Sequence, residues 1–288
     1  MPEDPTQDVV TCIAAHDNQV FVGMANYQVI IYDLSLRRTI HRLYQDFWEV
    51  KALEVDSNFL FVGTLGETIS VYNLKTFEEI HILKHRLGSI AIAIDDNFLY
   101  SGSYNADIRI WEKSGFAQTI SIENHLIRTS AIHVETRYLL AGDGFKTKGA
   151  AIHVYSKGNF VKIVSVKEPI SKRVLDIKTD EKYIYSAHGS PGELRIWNKS
   201  TFALVIILKD DHGDINAVTL SEEFIFYVAS NKIFKWSKSA FSLLAIYNNT
   251  QETRTILYSN GLIFVGAGNR VKALSPKEFE EEFDIPST

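Results

Sequence analysis

Hydrophobic positions along the chain recur with a long period. The phrase Phe21-Val22-Gly23 returns as Phe61-Val62-Gly63, Tyr100-Ser101-Gly102, Leu140-Ala141-Gly142, Tyr185-Ser186-Ala187, Phe226-Tyr227-Val228 and Phe264-Val265-Gly266. The third residues of these phrases are 40, 39, 40, 45, 41 and 38 apart. Seven copies at this spacing match the roughly 40–45 residues of a four-stranded propeller blade. Columns through the alignment carry the same message. About ten residues before each phrase-end stand Ile13, Leu53, Ile92, Ile132, Ile177, Val218 and Ile256, all aliphatic. One position earlier stand Cys12, Ala52, Ala91, Ala131, Asp176, Ala217 and Thr255, small except for Asp176. Three before the phrase-end lie Val20, Leu60, Leu99, Leu139, Ile184, Ile225 and Ile263.

Aliphatic residues at fixed offsets inside short β-branched and aromatic runs predict strands buried between stacked sheets. Polar pairs such as Asp17-Asn18, Asp95-Asp96 and Asp180-Glu181 interrupt every run and predict hairpin turns. In the third copy the pattern predicts strands over 90–94, 98–103, 107–112 and 116–122. Asn105 falls in the turn after the second strand and Ser114-Gly115 in the turn after the third. One blade cannot bury both its faces, whereas stacked blades bury them mutually. The predicted fold is therefore all-β: a seven-bladed β-propeller with four antiparallel strands per blade. An N-terminal arm over 1–8 precedes a single propeller over 9–288. Its repeats fall at about 9–49, 50–88, 89–129, 130–173, 174–214, 215–253 and 254–288.

The repeats resemble those of the WD40 family. Where that family ends its third strand in Trp-Asp, this chain has Tyr32-Asp33, Tyr72-Asn73, Trp111-Glu112, Tyr155-Ser156, Trp197-Asn198, Trp236-Ser237 and Ala273-Leu274. Three of the four tryptophans fall in this register. The family's upstream Gly-His appears as Lys84-His85, Asn124-His125 and Asp211-His212, without the glycine. The resemblance spans residues 9–285 and marks a divergent member. It implies a hydrogen-bonded set of His85, Ser101, Asn105 and Trp111 in the third copy. It also implies closure by an N-terminal strand, yet residues 1–8 are polar and hold Pro2 and Pro5. Residues 277–285 echo 75–83 instead, which predicts that the last blade supplies its own fourth strand.

Composition narrows the function. The net charge of −5 gives no basic footprint for nucleic acid, and the single cysteine excludes a disulfide framework or thiolate cluster. No apolar run approaches the roughly 20 residues of a membrane-spanning helix. The acidic, proline-bearing N-terminus is unlike a secretory leader, so an intracellular place, cytoplasmic with the nucleus open, is expected. The propeller itself is expected to be monomeric and to act without membrane or nucleic-acid partners.

Candidate chemistry is sparse. The nine histidines fall in strands, turns or the slots above, with no short ligand spacing, so no metal or other cofactor is expected. Paired acids such as Asp210-Asp211 and Glu280–Glu282 occupy turns or an edge strand, where carboxylates are solvated. Gly142-Asp143-Gly144 and Gly266-Ala267-Gly268 follow strands and open no helix, so they read as turns rather than phosphate cradles. Arg37-Arg38 reads as a charged turn. The column expected on the channel side holds Thr11, Lys51, Ile90, Ser130, Leu175, Asn216 and Arg254, with no acid and no histidine. That favours a non-catalytic protein–protein interaction scaffold over the alternative, a hydrolase or redox enzyme acting at the channel mouth.

The partner-binding surface is expected where residues break their columns. Trp48 is the one tryptophan off the strand-three register, in a column that reads Asp8, Trp48, Leu87, Ile127, Lys172, Gly213 and Gln251. Exposed tryptophan at a rim is a hot-spot residue type. The loops between second and third strands should open on the same face. They bring Tyr104, Phe145, Lys146 and Lys148 toward Arg128, Lys172 and Arg173, with Lys51 and Arg254 beginning other first strands nearby. A basic, partly aromatic sector of this kind suits a protein or an acidic or phosphorylated peptide.

Overall fold

A computed structural model describes residues 8–85, 88–104, 107–123, 128–144, 151–167, 173–190, 192–209 and 213–287. Seven four-stranded antiparallel sheets follow one another, each with its strands in sequence order, as the blades of an all-β seven-bladed propeller. Blade one holds Val10–His16, Gln19–Met24, Gln28–Asp33 and Arg38–Tyr44, and blade two Val50–Val55, Phe59–Thr64, Thr68–Asn73 and Glu79–Lys84. Blade three holds Ser89–Ile94, Phe98–Ser103, Asp107–Glu112 and Gln118–Glu123. Blades four to seven start at Thr129–Val134, Val174–Thr179, Ile215–Leu220 and Thr253–Ser259. The chain forms two compact units, Met1–Lys84 with Thr219–Thr288, and His85–Val218.

The aliphatic columns are the core. Val20, Leu60, Leu99, Leu139, Ile184, Ile225 and Ile263 are all buried, each contributing on the order of 2 kcal/mol. In the other column only Ile13 is half-buried. The glycine that ends the repeated phrase has a steric cause. A Cβ on Gly23 would lie 2.7 Å from Val50 of the next blade, and one on Gly142 2.6 Å from Val174. At these glycines the first strand of the following blade packs against bare backbone.

The column assigned to the channel side has a local backbone cause as well. In blade one, Val10 pairs Met24 and Cys12 pairs Gly23, leaving Thr11 as a bulge. Lys51, Ile90, Ser130, Leu175 and Arg254 are skipped in the same way. A bulge turns its side chain out of the pleat. Two of these residues use the freedom to bridge blades: the Thr11 hydroxyl reaches the Val50 carbonyl, and the Ser130 hydroxyl the Val174 carbonyl. Asp176, the exception in the small-residue column, also bridges. Its carboxylate accepts from the Val218 amide at 2.9 Å, on the first strand of blade six.

The turn after each third strand departs from expectation. The fourth strand of blade three begins at Gln118, two residues late, because Phe116 adopts φ 57° and closes the turn onto Glu112. Gly115 does not take the left-handed position. Phe77, Phe160, Phe202, Phe241 and Phe279 repeat this geometry, each amide donating to the carbonyl four residues back. A left-handed bulky residue is unfavourable by roughly 1–2 kcal/mol, so the ring must return more than that by packing. Four of the six rings do so against the preceding blade. Phe77 stacks on His41, Phe160 meets Tyr100, Phe202 meets Tyr138, and Phe279 meets Phe226 and Tyr247. The residue in the Trp-Asp aspartate slot caps the same turn: Asn73 and Asn198 accept two amides each, and Asp33 one.

In the unit that holds blades one and seven, the chain ends meet without strand exchange. The last sheet takes all four strands from the C-terminal segment, ending in Glu281–Pro286. Val10 donates its amide to Gly268, and Arg42 donates to the Ser287 carbonyl. Tyr32 stacks on Phe283, and Val10, Val22, Met24 and Ile30 share one core with Phe264, Val271 and Ile285. Arg37 occupies the left-handed position that phenylalanine fills elsewhere, and its guanidinium lies 5.7 Å from the Phe283 ring.

Candidate functional site

The polar side chains with the most chemical potential are turned into the sheets of the second unit. In blade three the Trp111 indole donates to Ser101 Oγ at 2.9 Å, and His85 Nε2 lies 2.8 Å from the same oxygen. His85 Nδ1 has no hydrogen-bond partner among the described residues; Asn105 lies outside them. Burial, with Arg109 nearby, pulls the His85 imidazole down to about 4, so it is neutral at pH 7. Blade five reaches the same arrangement differently. The Trp197 indole donates to Ser186, and the histidine comes from the second strand itself, with His188 Nε2 2.8 Å from Ser186 Oγ.

Two further sets invite a catalytic reading. In blade four, Ser165 Oγ lies 2.8 Å from His153 Nδ1, and Asp143 stands 3.6 Å from Nε2. At that distance the carboxylate is not hydrogen-bonded to the ring, so the relay that activates a serine is incomplete. In blade five, Arg195 donates twice to Glu193, both side chains buried. Such a pair neutralises itself within the sheet. His133, held by Thr179, is pushed down to about 3 by burial and by Lys178 and Lys199. Burial pushes the Cys12 thiol up to about 12, which keeps it protonated and unreactive. No three His, Cys, Asp or Glu side chains form a metal-binding group among the described residues. Among the described residues no helix is long and apolar enough to cross a membrane.

Of the described residues expected to bind a partner, Trp48, Arg128 and Arg173 lie in connections entering first strands, Tyr104 follows a second strand, and Lys51 and Arg254 lie within first strands. These segments meet at one end of each sheet. Leu65 donates its amide to Glu49, Gly144 to Arg128 and Gly189 to Arg173. Trp48 is 52% exposed and rests on Gly66, where a Cβ would sit 2.7 Å from the indole. Lys51 is paired with Glu49 at 2.6 Å, and Arg254 with Glu252 at 3.3 Å. In the second unit Arg128 stacks over Tyr104, 4.2 Å from the ring centroid. Burial and the neighbouring Arg173 draw the Arg128 guanidinium below its usual value, and its Nε has no partner among the described residues. Arg173 is ion-paired with Asp214, which also accepts from the Ser190 amide. Tyr104, Arg128 and Arg173 thus come together; Phe145, Lys146, Lys148 and Lys172 lie outside the described residues.

Two exposed aromatics beside Trp48 went unnoticed in the sequence. Tyr44 is 68% and Phe47 85% exposed. The available signal was the run Tyr44-Gln45-Asp46-Phe47-Trp48, three aromatics in five residues of a connection that should be polar.

No family model matches the chain, and no curated protein matches it. Among solved structures it is similar to the computationally designed protein Ika8. The two share a TM-score of 0.77 and 17% identity, over 97% of this chain and 87% of that one. At that identity the likeness concerns the fold alone.

Proposed function

We propose that this chain is a non-catalytic interaction platform of the WD40 type. It docks a protein or peptide on the end of the blades where the connections into first strands emerge. The observation that carries the reading is an inversion of the usual burial pattern. Trp111, Trp197, His85 and His188 are buried and hydrogen-bonded within their sheets, while Tyr44, Phe47 and Trp48 stand in solvent on one connection. Chemistry-bearing groups spent on sheet architecture are poorly placed for turnover; exposed aromatics are the residues that anchor partners. Propellers in general serve many functions, so the argument rests on these side chains and not on the fold. An acidic or phosphorylated segment is suited to Arg128, which stacks over Tyr104, and would compete with Asp214 for Arg173. A cytoplasmic platform with no cofactor fits this reading.

The test is selection of a random dodecapeptide phage library on the immobilised full chain. Peptide families that bind the folded chain and compete with one another support a docking face. Failure to select any peptide above the level of the urea-unfolded chain would overturn the platform reading.

A further inference from the structure

Seven of the twelve non-glycine residues with left-handed φ among the described residues are phenylalanines. Six of them close the turn after a third strand, and each is at least half-buried, down to 8% exposure for Phe279. Phe47 is the seventh. It carries the same backbone penalty, φ 54°, in a different place, the connection from blade one to blade two. Its ring is 85% exposed, so nothing within the described residues repays the penalty. The segment is nonetheless held in shape. The Gln45 amide donates to Tyr27, the Gln45 side chain to the Tyr72 hydroxyl at 2.8 Å, and the Phe47 amide to the Gln45 carbonyl. Trp48 is propped on Gly66. A fixed connection that presents three large aromatics at a conformational cost is strain of the kind that collects at functional sites.

Charge names the occupant. Asp46 precedes Phe47, and Glu67 follows the Gly66 on which Trp48 rests; both are exposed and make no ion pair among the described residues. Glu49 is neutralised by Lys51 at 2.6 Å. The aromatic group is therefore bordered by two free carboxylates. We infer that Tyr44, Phe47 and Trp48 form a docking patch for a partner segment carrying a lysine or arginine beside an aliphatic or aromatic side chain. The apolar group would pack on the rings while the cation meets Asp46 and Glu67, with cation–π contact to Trp48 available to it. A second copy of this chain is the less suited occupant, because the net charge of −5 and the acidic rim oppose self-association here. This inference rests on the platform reading and assigns the partner's chemistry opposite in sign to that suited to Arg128.

The same phage library decides it, followed by synthetic copies of the selected dodecapeptides measured by fluorescence anisotropy. The expected peptides are enriched in Lys or Arg next to Leu, Ile, Phe or Trp. Trp48→Ala should weaken them about thirtyfold, the scale of a hot spot. Phe47→Asn should weaken them at least tenfold without lowering the melting temperature, because asparagine tolerates left-handed φ. Asp46→Lys with Glu67→Lys should weaken them most at low salt. Gly66→Ala, which keeps every aromatic but displaces the Trp48 ring, should also weaken them. Lys75→Glu, an exposed change in the turn after the third strand of blade two, should leave them unchanged. Selected peptides that are acidic, or that bind Phe47→Asn and Trp48→Ala as tightly as the parent, overturn this inference and leave the platform reading standing. A concentration-dependent dimer abolished by Trp48→Ala in sedimentation velocity would overturn it in favour of self-association. Failure to select any peptide overturns both.

Discussion

Phe47 and Phe279 share a residue type and a backbone conformation, φ 54° and 58°, and differ in what surrounds the ring. Phe279 inserts between Phe226 and Tyr247 of the preceding blade, with the Lys235 ammonium 6.0 Å from its centroid. Phe47 faces solvent. In one place a left-handed phenylalanine is a wedge that locks neighbouring blades, and the local cost is repaid by burial. In the other, the same cost has no return in the free protein. The difference separates a residue retained for folding from one whose benefit must come from outside the chain.

The largest perturbation belongs to the packed side. Ile132 lies in the core of blades three and four beside Ala93, Tyr100 and Leu139. Ile132→Asp buries an unpaired charge at a cost of several kcal/mol against a total of roughly 5–15 kcal/mol. The expected outcome is a chain without a cooperative urea transition. A folded Ile132→Asp protein would mean that the packed side is far looser than described.

Acid sharpens the contrast next. His85 is buried beside Trp111 and titrates at about 4, against roughly 6.5 in the unfolded chain. Between those values the unfolded state binds a proton that the folded state does not, so stability falls as pH drops from about 6.5 toward 4. The full effect is about 3 kcal/mol, at about 1.4 kcal/mol per unit. Hydrogen exchange at pH 5 should loosen blade three relative to blade two, whose equivalent strand carries Val62 in place of Ser101, and His85→Gln should shrink the pH dependence to the share that the buried His133 of blade four contributes. Equal loosening of both blades would contradict this.

One substitution made at both phenylalanines gives a smaller but sharper test. Phe279→Asn relieves the left-handed strain yet forfeits the ring contacts, for a net loss of about 2–3 kcal/mol in urea melts. Phe47→Asn relieves the strain and forfeits nothing, for a gain of up to about 1 kcal/mol. Losses of similar size at both positions would erase the distinction.

The period and the aliphatic columns made the fold legible, because burial between stacked sheets demands the same residue class at the same offset in every blade. The strands of blade three were legible nearly to the residue. The turn after its third strand was not, because Ser114-Gly115 advertises glycine as the left-handed residue, whereas Phe116 occupies that position and donates its amide to Glu112. Asp176 was visible as a column-breaker, but its partner, the Val218 amide, belongs to the next blade. His188 was hidden for the opposite reason: it replaces the upstream histidine from within a strand, so no loop motif announces it. At the candidate site Trp48 stood out by leaving its register. Phe47 did not: the run of three aromatics over residues 44–48 marked the connection, but no repeat column singled out Phe47 within it.

The most direct measurement is the affinity of a selected dodecapeptide for the Phe47→Asn chain, taken beside its melting temperature. The expected result is a chain at least as stable as the parent that binds the peptide at least tenfold more weakly. Unchanged affinity in that stable chain would show that the exposed aromatics of residues 44–48 are not where the partner docks.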